Sequence, residues 1–513
     1  MDKDLQAQQE VRDVCRRAVE AQRQFAGASQ EEVDQVCAAM AKAGFRAAHR
    51  LAELAVSDTG MGKAADKVIK DEFSTRDLWE SIRHMATVGE ISRDRRHKVT
   101  VLAEPMGVVA GIIPTTNPTS TVMYKALIAV KSRNALVASP HPNAGQCTLE
   151  AVNVLAQAAV SAGAPEGLVA SLTMPSKESA QALMRHPGVS IILSTGGKAI
   201  VRQAHSSGKP AYGVGPGNVP AFIERSADVR KAVRDIVLGK AFDHGLICSA
   251  ENAMIVERTI ERRVLDALKD ESVSWVAGRE LELLQSFMVR PDGSLNTAVV
   301  GQPAHRIAEM AGFQVPEDTA VLLVKQSGVG HEHPLSREKL SPVLAYYTVA
   351  SAEAGIALAA EIVDYGGVGH TAVIHSTNEE LVSRFAQRVR TFRILVNTPS
   401  PHGSVGYSTG LAPAMTLGSG TWGGAITGDN ITPLHLLNRK RVAWETESVG
   451  PTGVKGTGAS RRGSYSRYDN EPLPAIGRVA DEEHVDSGQG LDLQEIDRIA
   501  ESFSKGLERQ EAR

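Results

Sequence analysis

Apolar positions in the first 95 or so residues recur every three or four residues, which is the spacing of a helix with one buried face. Val11 and Cys15 belong to one such series, and Val36 and Met40 belong to another. We therefore predict that this part of the chain is helical. We also expect its charged side chains to face water.

From residue 98 the pattern changes to short apolar runs that alternate with stretches of helical spacing. The runs include VVAGIIP, NALVASP and VSIILSTGG, and each ends in Gly, Pro or polar residues. Strands that alternate with helices indicate a parallel, doubly wound α/β sheet, which binds ligands at the carboxyl ends of its strands. From about Val219 the alternation begins again, with AFIE, AVLLV, LAYYTVA, AVIHS and RILVN. We therefore predict a second α/β domain.

These patterns predict five segments. Residues 1–218 form a first α/β domain with a helical N-terminal part, residues 219–420 form a second α/β domain that contains Cys248, and residues 421–450 return to the first domain or form a dimer interface. Residues 451–490 are rich in Gly, Ser, Pro and charge, which is typical of a flexible linker. Residues 491–513 have the spacing of an amphipathic helix, which we expect to dock on a partner or on its own subunit.

Composition narrows the classes of partner. The 513 residues exceed one ordinary core, and a net charge of -3 with 22% charged residues leaves no basic excess for nucleic acid. The chain has no run of about 18 apolar residues, and its first residues, MDKDLQAQQE, are polar. We therefore expect a cytoplasmic protein with no nucleic-acid or membrane partner. Cys15, Cys37, Cys147 and Cys248 are too far apart for metal-ligand spacing, so we expect free thiols and no metal.

Cys248 is the first candidate for chemistry. It lies in FDHGLICSAENAMIVE, residues 242–257, between a turn that contains Gly245 and an alternating apolar run. At such a junction of loop and strand a sulfur can point into a cleft. A small buried cysteine that fills a gap in the core is the alternative.

Eight segments in order resemble the CoA-acylating branch of the aldehyde dehydrogenase superfamily, and the resemblance covers about residues 30 to 445. The segments are GIIPTTNPTST, KSRNALVASPHP, STGG, YGVGPGNVP, FDHGLICSAE, REKLSPVLA, GGVGHTA and SGTWGG. This branch includes the aldehyde half of bifunctional alcohol/aldehyde dehydrogenases and enzymes of bacterial microcompartments. The resemblance implies an aldehyde dehydrogenase-like fold, in which residues 1–218 are the nucleotide-binding domain and residues 219–420 are the catalytic thiol domain. It also implies reversible oxidation of a short aldehyde to its acyl-CoA with NAD, or NADP, and coenzyme A.

The resemblance also implies the catalytic residues. Cys248 attacks the aldehyde to give a thiohemiacetal, and a thioester remains on the enzyme after hydride loss. Asn117 holds the developing oxyanion with its side-chain amide, a contribution of roughly 3 to 4 kcal/mol for one such donor. His370, in GGVGHT, contacts CoA or relays a proton. An ordinary loop asparagine and a structural histidine are the alternatives for the last two residues.

A missing carboxylate predicts the fate of the thioester. Hydrolytic aldehyde dehydrogenases carry a glutamate that activates water at the position matching about Val214, and valine cannot take a proton. Tyr212, Gly213 and Gly215 offer no carboxylate either. Water without a base is a poor nucleophile, whereas a thiol is a strong one, so we expect CoA to accept the acyl group. Release of a free acid is the alternative on the same fold.

Nucleotide contacts are expected where strands end. Thr195, Gly196 and Gly197 follow a strand and open a helix, which suits a pyrophosphate at the helix N-terminus. Glu338, in REKLSP, matches the glutamate that bonds the nicotinamide ribose in the family. The remaining expected cofactor contacts are Thr115, Thr116, Ser139, Pro140 and Gly215. Residues 139–142, SPHP, lack the lysine that hydrolytic enzymes carry near the adenosine ribose, which leaves the choice of NAD or NADP open.

Partners and substrate are less determined. The resemblance implies a homodimer or homotetramer, in the cytoplasm or inside a microcompartment whose shell or other partner the helix 491–513 would bind. A cargo or scaffold protein is the alternative from another functional class. Acetaldehyde, propanal, lactaldehyde and sulfoacetaldehyde all remain candidate substrates. We expect Met123 or its neighbours and the loop Ser400–Gly406 to line their pocket.

Overall fold

Two long helices open the chain, as the apolar spacing predicts. Ser29 caps the second helix in a capping box with Glu32, and Gly60 ends it with a left-handed φ of 68°. Val11, Val36 and other apolar positions of the predicted series are buried. The periodic apolar pattern was therefore sufficient to identify these helices.

The computed structural model describes residues 3–290 and 293–447, without the side chains of Lys3 and Asp4. All of them lie in one unit, Met1–Ser464. The second unit, Tyr465–Arg513, lies outside the described residues. So do the predicted linker 451–490 and the predicted helix 491–513, which stay predictions.

The helices of the described residues are α1 (Lys3–Phe25), α2 (Gln30–Thr59), α3 (Ala64–Glu72), α4 (Leu78–Ile82), α5 (Pro118–Lys131), α6 (Gly145–Ser161), α7 (Lys177–Arg185), α8 (Lys198–His205), α9 (Val229–Ala241), α10 (Glu261–Leu268), α11 (Gly278–Met288), α12 (Ala304–Ala311), α13 (Ala352–Gly366), α14 (Glu379–Arg388) and α15 (Ser400–Ser404). A π-helical turn, Phe73–Asp77, joins α3 to α4.

The strands are β1 (Gly89–Asp94), β2 (Val99–Pro105), β3 (Val108–Ile112), β4 (Ala135–Ser139), β5 (Val169–Ser171), β6 (Val189–Thr195), β7 (Ala211–Val214), β8 (Val219–Ile223), β9 (Glu251–Glu257), β10 (Val273–Val276), β11 (Val321–Lys325), β12 (Val343–Val349), β13 (Gly369–His375), β14 (Thr391–Val396) and β15 (Leu437–Ala443).

Two parallel sheets carry most of these strands. The first has the order β5-β4-β3-β6-β7, and the second has the order β10-β11-β12-β9-β8-β13-β14. Every residue of β3, β4, β8, β9 and β13 is buried, because helices cover both faces of a parallel sheet. The predicted α/β architecture with two doubly wound parts is confirmed.

A third, antiparallel sheet has the order β1-β2-β15. Strand β15 thus returns from the C-terminal part of the described chain to pair with β2, with Leu437 opposite Pro105 and Ala443 opposite Val99. The two parallel sheets occupy residues 108–214 and 219–396. The domain boundaries that we drew from the sequence stay predictions.

The expectation that charges in the first 95 residues face water is wrong at α3. Lys67 and Lys70 are 2% and 4% exposed, and Asp71 is fully buried. These positions follow the i, i+3, i+4 spacing of one helix face, and that face points into the protein. Buried charges of this kind require partners, which the site below supplies.

Among residues 3–290 and 293–447, no helix combines the length and apolar character that a membrane crossing requires. In that same part of the chain, no group of three or more His, Cys, Asp and Glu side chains is arranged to hold a metal ion. Cys15, Cys37, Cys147 and Cys248 are free thiols.

Candidate active site

Cys248 lies just before β9, at the edge where three neighbouring strands of the seven-stranded sheet begin. Gly217 precedes β8 and His370 is the second residue of β13, and β9, β8 and β13 are adjacent in the sheet. Parallel strands begin at one edge, so residues far apart in sequence meet there. The sequence prediction that the thiol lies at a junction of loop and strand is confirmed.

The backbone that leads to Cys248 is tightly turned. Asp243 and His244 have positive φ angles of 49° and 53°, and Gly245 follows with a φ of 72°. A Cβ on Gly245 would lie 2.7 Å from the carbonyl oxygen of Ser341. Left-handed backbone at two non-glycine residues is costly and persists only where the surroundings hold it.

His370 is the polar partner of the thiol. Its Nε2 lies 3.2 Å from Cys248 Sγ, and its Nδ1 lies 3.0 Å from Thr371 Oγ1. Burial, with a smaller contribution from the charge of Arg393, lowers the pKa of His370 to about 3. Burial likewise raises the pKa of Cys248 to about 12, with a smaller contribution from Glu338. Both groups are therefore neutral at pH 7.

Gly217 brings the loop before β8 against both of these residues. A Cβ at this position would lie 2.3 Å from the carbonyl oxygen of Cys248 and 3.2 Å from His370 Cγ. The backbone N–H of Gly217 donates to Glu338 Oε1 at 3.1 Å. Burial raises the pKa of Glu338 to about 8, against the effect of this hydrogen bond. Only glycine allows this close approach.

Arg393 on β14 holds the neighbouring loop and contributes positive charge to the site. Its guanidinium donates to the carbonyl oxygens of Gly428, at 2.8 Å, and Gly418, and it lies 3.4 Å from Thr371 Oγ1. Arg393 is 2% exposed. Its charge lowers the pKa of Cys248, although burial outweighs it.

Asn117 occupies the N-cap position of α5, with Pro118 at the first helical position. Lys70 Nζ donates to Asn117 Oδ1 at 2.6 Å, and Asn117 Nδ2 donates to Thr116 Oγ1 at 3.0 Å. Lys70 Nζ also pairs with Asp243, five positions before Cys248. The loop with Asn117 and the loop with Cys248 are thus joined through one ammonium group.

The carboxyl ends of β3, β4 and β6 present polar groups without partners. Thr115 Oγ1, Ser139 Oγ and Ser194 Oγ are buried and have no hydrogen-bond partner within the described chain. Gly197 occupies the N-cap position of α8. The space beside this helix start is open, since a Cβ added to Gly197 would have no atom within 4 Å. Strand order reverses on either side of β3, and doubly wound sheets bind ligands at such a point. These hydroxyl groups and this open helix start suit a nucleotide.

The other expected cofactor contacts lie around the carboxyl edge of the five-stranded sheet or in the loop that follows it. Lys67 Nζ donates to the carbonyl oxygen of Thr116 at 3.2 Å, and Pro140 is buried at the end of β4. Thr195 Oγ1 lies 3.5 Å from Thr416 Oγ1. A Cβ on Gly196 would lie 2.7 Å from Ile200 Cγ2, whereas Gly215 has open space.

A small apolar cavity of about 20 Å³ lies beside the thiol loop. Its lining residues are Ile69, Lys70, Phe73, Phe242, Ile247, Pro401, His402, Val405, Tyr407 and Met415. Pro401, His402 and Val405 of the loop Ser400–Gly406 belong to this lining, and Cys248 does not. The expected contribution of the loop to the aldehyde pocket stays a prediction. Met123 is not among these residues, since it is fully buried in the core, where its sulfur would lie 3.6 Å from a Cβ on Gly44.

Three residues of the site, Lys70, Asp243 and Arg393, were not predicted from the sequence. Arg393 had no sequence signal, because the apolar residues Phe392, Ile394 and Val396 of TFRILV lie on the opposite face of the strand. Only the structure shows that Arg393 is buried together with Thr391 and Leu395. Lys70 had a weak signal, because DKVIKD carries charges among the apolar positions of a short helix. The partners of Lys70 could not be identified from this signal.

Comparisons with known proteins agree with this geometry. The sequence profile of the aldehyde dehydrogenase family matches residues 3–288. The bifunctional aldehyde-alcohol dehydrogenase AdhE of Escherichia coli K12 is 41% identical over 86% of this chain and 50% of that protein. The chain spans about half the length of the curated aldehyde-alcohol dehydrogenases that it matches.

Two solved structures are similar over nearly their whole length. An acetylating aldehyde dehydrogenase from Geobacillus thermoglucosidasius has a TM-score of 0.86 and 44% identity, over 88% of this chain and 99% of that chain. A propionaldehyde dehydrogenase from Rhodopseudomonas palustris, with bound CoA and an acylated cysteine, has a TM-score of 0.76 and 28% identity. This match covers 85% of this chain and 97% of that chain. With a family match to more than half of its residues, this chain belongs to the aldehyde dehydrogenase family.

Proposed function

We propose that this protein oxidises a short aldehyde, reversibly, to its acyl-CoA, with NAD or NADP as the hydride acceptor and coenzyme A as the acyl acceptor. The observation that carries the proposal is the contact between Cys248 Sγ and His370 Nε2, at 3.2 Å, in a site whose adjoining segment carries Val214 and no carboxylate. Val214 is 3% exposed.

Cys248 supplies the covalent step. Its sulfur forms a bond to the aldehyde carbon, and the carbonyl oxygen becomes an oxyanion. One hydrogen of Asn117 Nδ2 is directed to Thr116, which leaves the second hydrogen to donate to that oxyanion. Loss of hydride then leaves a thioester on Cys248.

His370 takes part as the proton partner of the thiol. With Nδ1–H directed to Thr371 Oγ1, Nε2 accepts the S–H proton as the C–S bond forms. The low pKa of His370 makes it a weak base at rest, so proton transfer accompanies bond formation rather than preceding it.

The nucleotide would lie at the carboxyl ends of β3, β4 and β6. Thr115 Oγ1, Ser139 Oγ and Ser194 Oγ are the hydroxyl groups that need partners there, and the open start of α8 at Gly197 suits a pyrophosphate. Glu338 would bond the nicotinamide ribose. When bound, the nicotinamide accepts the hydride.

We infer thiolysis from the segment 212–217, which has no carboxylate at the position that the resemblance matches to the water-activating glutamate. General-base catalysis of water requires a group that takes a proton, and this segment offers none. A thiol attacks a thioester without such help. The acylated cysteine and bound CoA of the Rhodopseudomonas palustris enzyme support the same outcome for this chain. The comparisons do not favour the free-acid alternative.

We place the aldehyde beside the thiol loop, where Phe242 and Ile247 line a small apolar cavity. Acetaldehyde, propanal, lactaldehyde and sulfoacetaldehyde all stay candidate substrates.

We further propose that the protein is a homodimer or homotetramer of the cytoplasm. Residues 491–513 would bind a microcompartment shell or another partner protein. The amphipathic spacing of that segment supports the proposal, and a cargo role is compatible with the enzymatic one.

The proposal is tested by following nucleotide reduction at 340 nm with acetaldehyde and propanal, each with and without CoA. Wild type is compared with Cys248→Ala. We expect turnover that requires both CoA and Cys248, with acyl-CoA as the product. Equal turnover without CoA, with release of a free acid, would refute acylation. Turnover by Cys248→Ala would refute the thiol mechanism.

A further inference from the structure

One face of α3 fastens the segment that carries Asn117. Lys67 Nζ donates to the carbonyl oxygen of Thr116 at 3.2 Å, and Lys70 Nζ donates to Asn117 Oδ1 at 2.6 Å. Asp71 Oδ1 accepts from Thr119 Oγ1 at 2.8 Å. Three side chains of a single helix face therefore hold three of the four residues 116–119.

The same two lysines hold the loop that carries Cys248. Lys67 Nζ donates to Asp243 Oδ2 at 3.0 Å, and Lys70 Nζ pairs with the same oxygen. The other oxygen, Asp243 Oδ1, accepts the backbone N–H of Lys63 at 2.7 Å. Asp243 is fully buried, and its φ of 49° is one of the two left-handed non-glycine angles before Cys248. The cluster compensates for this backbone conformation.

We propose that Lys70 is a positioning residue for catalysis, which acts through Asn117. Lys70 holds the amide oxygen of Asn117, so that the amide N–H group is directed to the reacting oxygen of the substrate. This inference rests on the proposed function. It assigns Lys70 to a role that neither the family match nor the sequence pattern supplies.

An asparagine amide has two chemically different ends. An amide that flips by 180° presents its oxygen, which repels an oxyanion, instead of its N–H group. In water both orientations are accessible. An ammonium group 2.6 Å from Oδ1 allows one orientation alone, because Lys70 can donate but cannot accept.

The charge of Lys70 is itself held in place. Burial lowers its pKa to about 8, and the contact with Asp243 opposes this effect. Burial alone would raise the pKa of Asp243, but the charges of Lys70 and Lys67 hold it below its ordinary value. Two ammonium groups share one carboxylate, so removal of Lys70 still leaves Asp243 paired with Lys67. A Lys70 variant therefore does not leave an isolated buried charge.

The test is a double-mutant cycle of Lys70→Met and Asn117→Ala, measured as kcat and aldehyde KM with CoA present. We expect Asn117→Ala to lower kcat about 100- to 1000-fold. We expect Lys70→Met to lower kcat about 10- to 100-fold, with KM changed less than about threefold. The double variant should be within about threefold of Asn117→Ala alone, since Lys70 acts through Asn117.

Lys131→Met is the matched control. Lys131 is a fully buried lysine on α5 that pairs with Asp34, and within the described residues no hydrogen bond links it to Asn117. It should lose thermal stability as Lys70→Met does but retain kcat within about threefold of wild type. Alkylation of Cys248 by iodoacetamide should proceed at the wild-type rate in Lys70→Met. If Lys70→Met does not fold, Lys70→Gln replaces it in the same cycle.

Four results would overturn the inference: a Lys70 variant with wild-type kcat, losses that multiply in the double variant, an equal kcat loss in Lys131→Met, or altered alkylation of Cys248 in the Lys70 variant. The last would show that Lys70 acts on the thiol loop instead. Absence of CoA-dependent turnover in wild type would overturn the proposed function, and this inference with it. Normal wild-type turnover with any of those four results refutes the inference alone.

Discussion

His370 Nε2 lies 3.2 Å from Cys248 Sγ, yet the two groups do not form an ion pair at rest. Burial raises the pKa of the thiol to about 12 and lowers that of the imidazole to about 3. The free enzyme therefore holds a neutral thiol against a neutral imidazole. A neutral thiol is a weaker nucleophile than a thiolate, so we expect the free enzyme to react slowly with alkylating agents.

The first prediction concerns the reactivity of this thiol with pH. Since its pKa is raised, the thiolate fraction at pH 7 is below that of free cysteine, whose pKa is near 8.5. The rate of alkylation of Cys248 by iodoacetamide should rise about tenfold per pH unit from pH 7 to pH 10. Mass spectrometry of the peptide that contains Cys248 measures the rate, with a free-cysteine peptide as control. A plateau below pH 8 would indicate an activated thiolate.

The second prediction is that Gly217→Ala inactivates the enzyme. The new Cβ would lie 2.3 Å from the carbonyl oxygen of Cys248, so either the thiol loop or the loop before β8 must move. We expect kcat/KM to fall at least about 100-fold, because displacements near 1 Å have such effects. Gly27→Ala, where no atom lies within 4 Å of the added Cβ, should retain wild-type kinetics. Comparable activity of the two variants would contradict the close approach at Gly217.

The third prediction restores the missing base. Val214→Glu places a carboxylate at the position that the resemblance matches to the glutamate of the hydrolytic branch, and Val214→Gln has the same shape without basicity. We expect acid release in the absence of CoA to be about tenfold faster in the glutamate variant than in the glutamine variant. Chromatographic detection of the carboxylic acid measures this. Equal rates would show that position 214 does not decide between water and CoA.

The fourth prediction concerns stability. Glu251 is fully buried and accepts the backbone N–H of Ser400 at 2.6 Å, and burial raises its pKa to about 8. The nearby charges on Lys240 and Asp235 act on it in opposite directions. Because the pKa of Glu251 in the folded state exceeds the unfolded value near 4.3, the folded protein binds this proton more tightly than the unfolded chain does. The resulting stabilisation is complete below pH 4.3 and is lost as pH rises through 8.

Glu251→Gln does not titrate. We therefore compare the free energy of unfolding of Glu251→Gln minus that of wild type at two pH values. This difference should be about 3 kcal/mol larger at pH 8.5 than at pH 5.5. Urea unfolding at both pH values measures this double difference. If the stability of wild type and that of Glu251→Gln vary with pH in the same way, the Glu251 carboxyl group titrates normally and the prediction is wrong.

The fifth prediction concerns the C-terminal segment. Deletion of residues 478–513 should leave turnover unchanged, because every residue that we assign to the site precedes residue 420. If the segment binds a separate partner, as we propose, oligomer size should also be unchanged. Fluorescence co-localisation with the partner or shell should be lost. Dissociation of the oligomer or loss of turnover would instead indicate that the segment packs on its own subunit.

Much of the fold could be predicted from the sequence because the relevant signals are local. An apolar run such as VVAGI indicates a strand that is buried on both faces. A four-residue spacing such as that from Val36 to Met40 indicates one face of a helix. Cys248, Asn117 and His370 were identified by the order of their motifs. Each of these signals lies within a few residues of the position it describes.

The pairing of distant residues could not be predicted in this way. Cys248 and His370 are 122 positions apart and meet only because β9, β8 and β13 begin at one edge of the same sheet. The charges of α3 were expected in water, and their burial depends on α5 and the thiol loop closing over them. Unpaired hydroxyl groups at Thr115 and Ser139 likewise become visible only once the strands are adjacent.

The sequence by itself therefore determined the strands, the helices and the chemical types available for catalysis, since secondary structure and side-chain chemistry depend on neighbouring residues. Tertiary structure alone decided that the thiol is neutral, that one lysine bridges Asn117 and Asp243, and which buried hydroxyl groups lack a protein partner. The physical reason is that pKa values, charge pairing and hydrogen-bond satisfaction depend on burial and on contacts between segments that folding brings together.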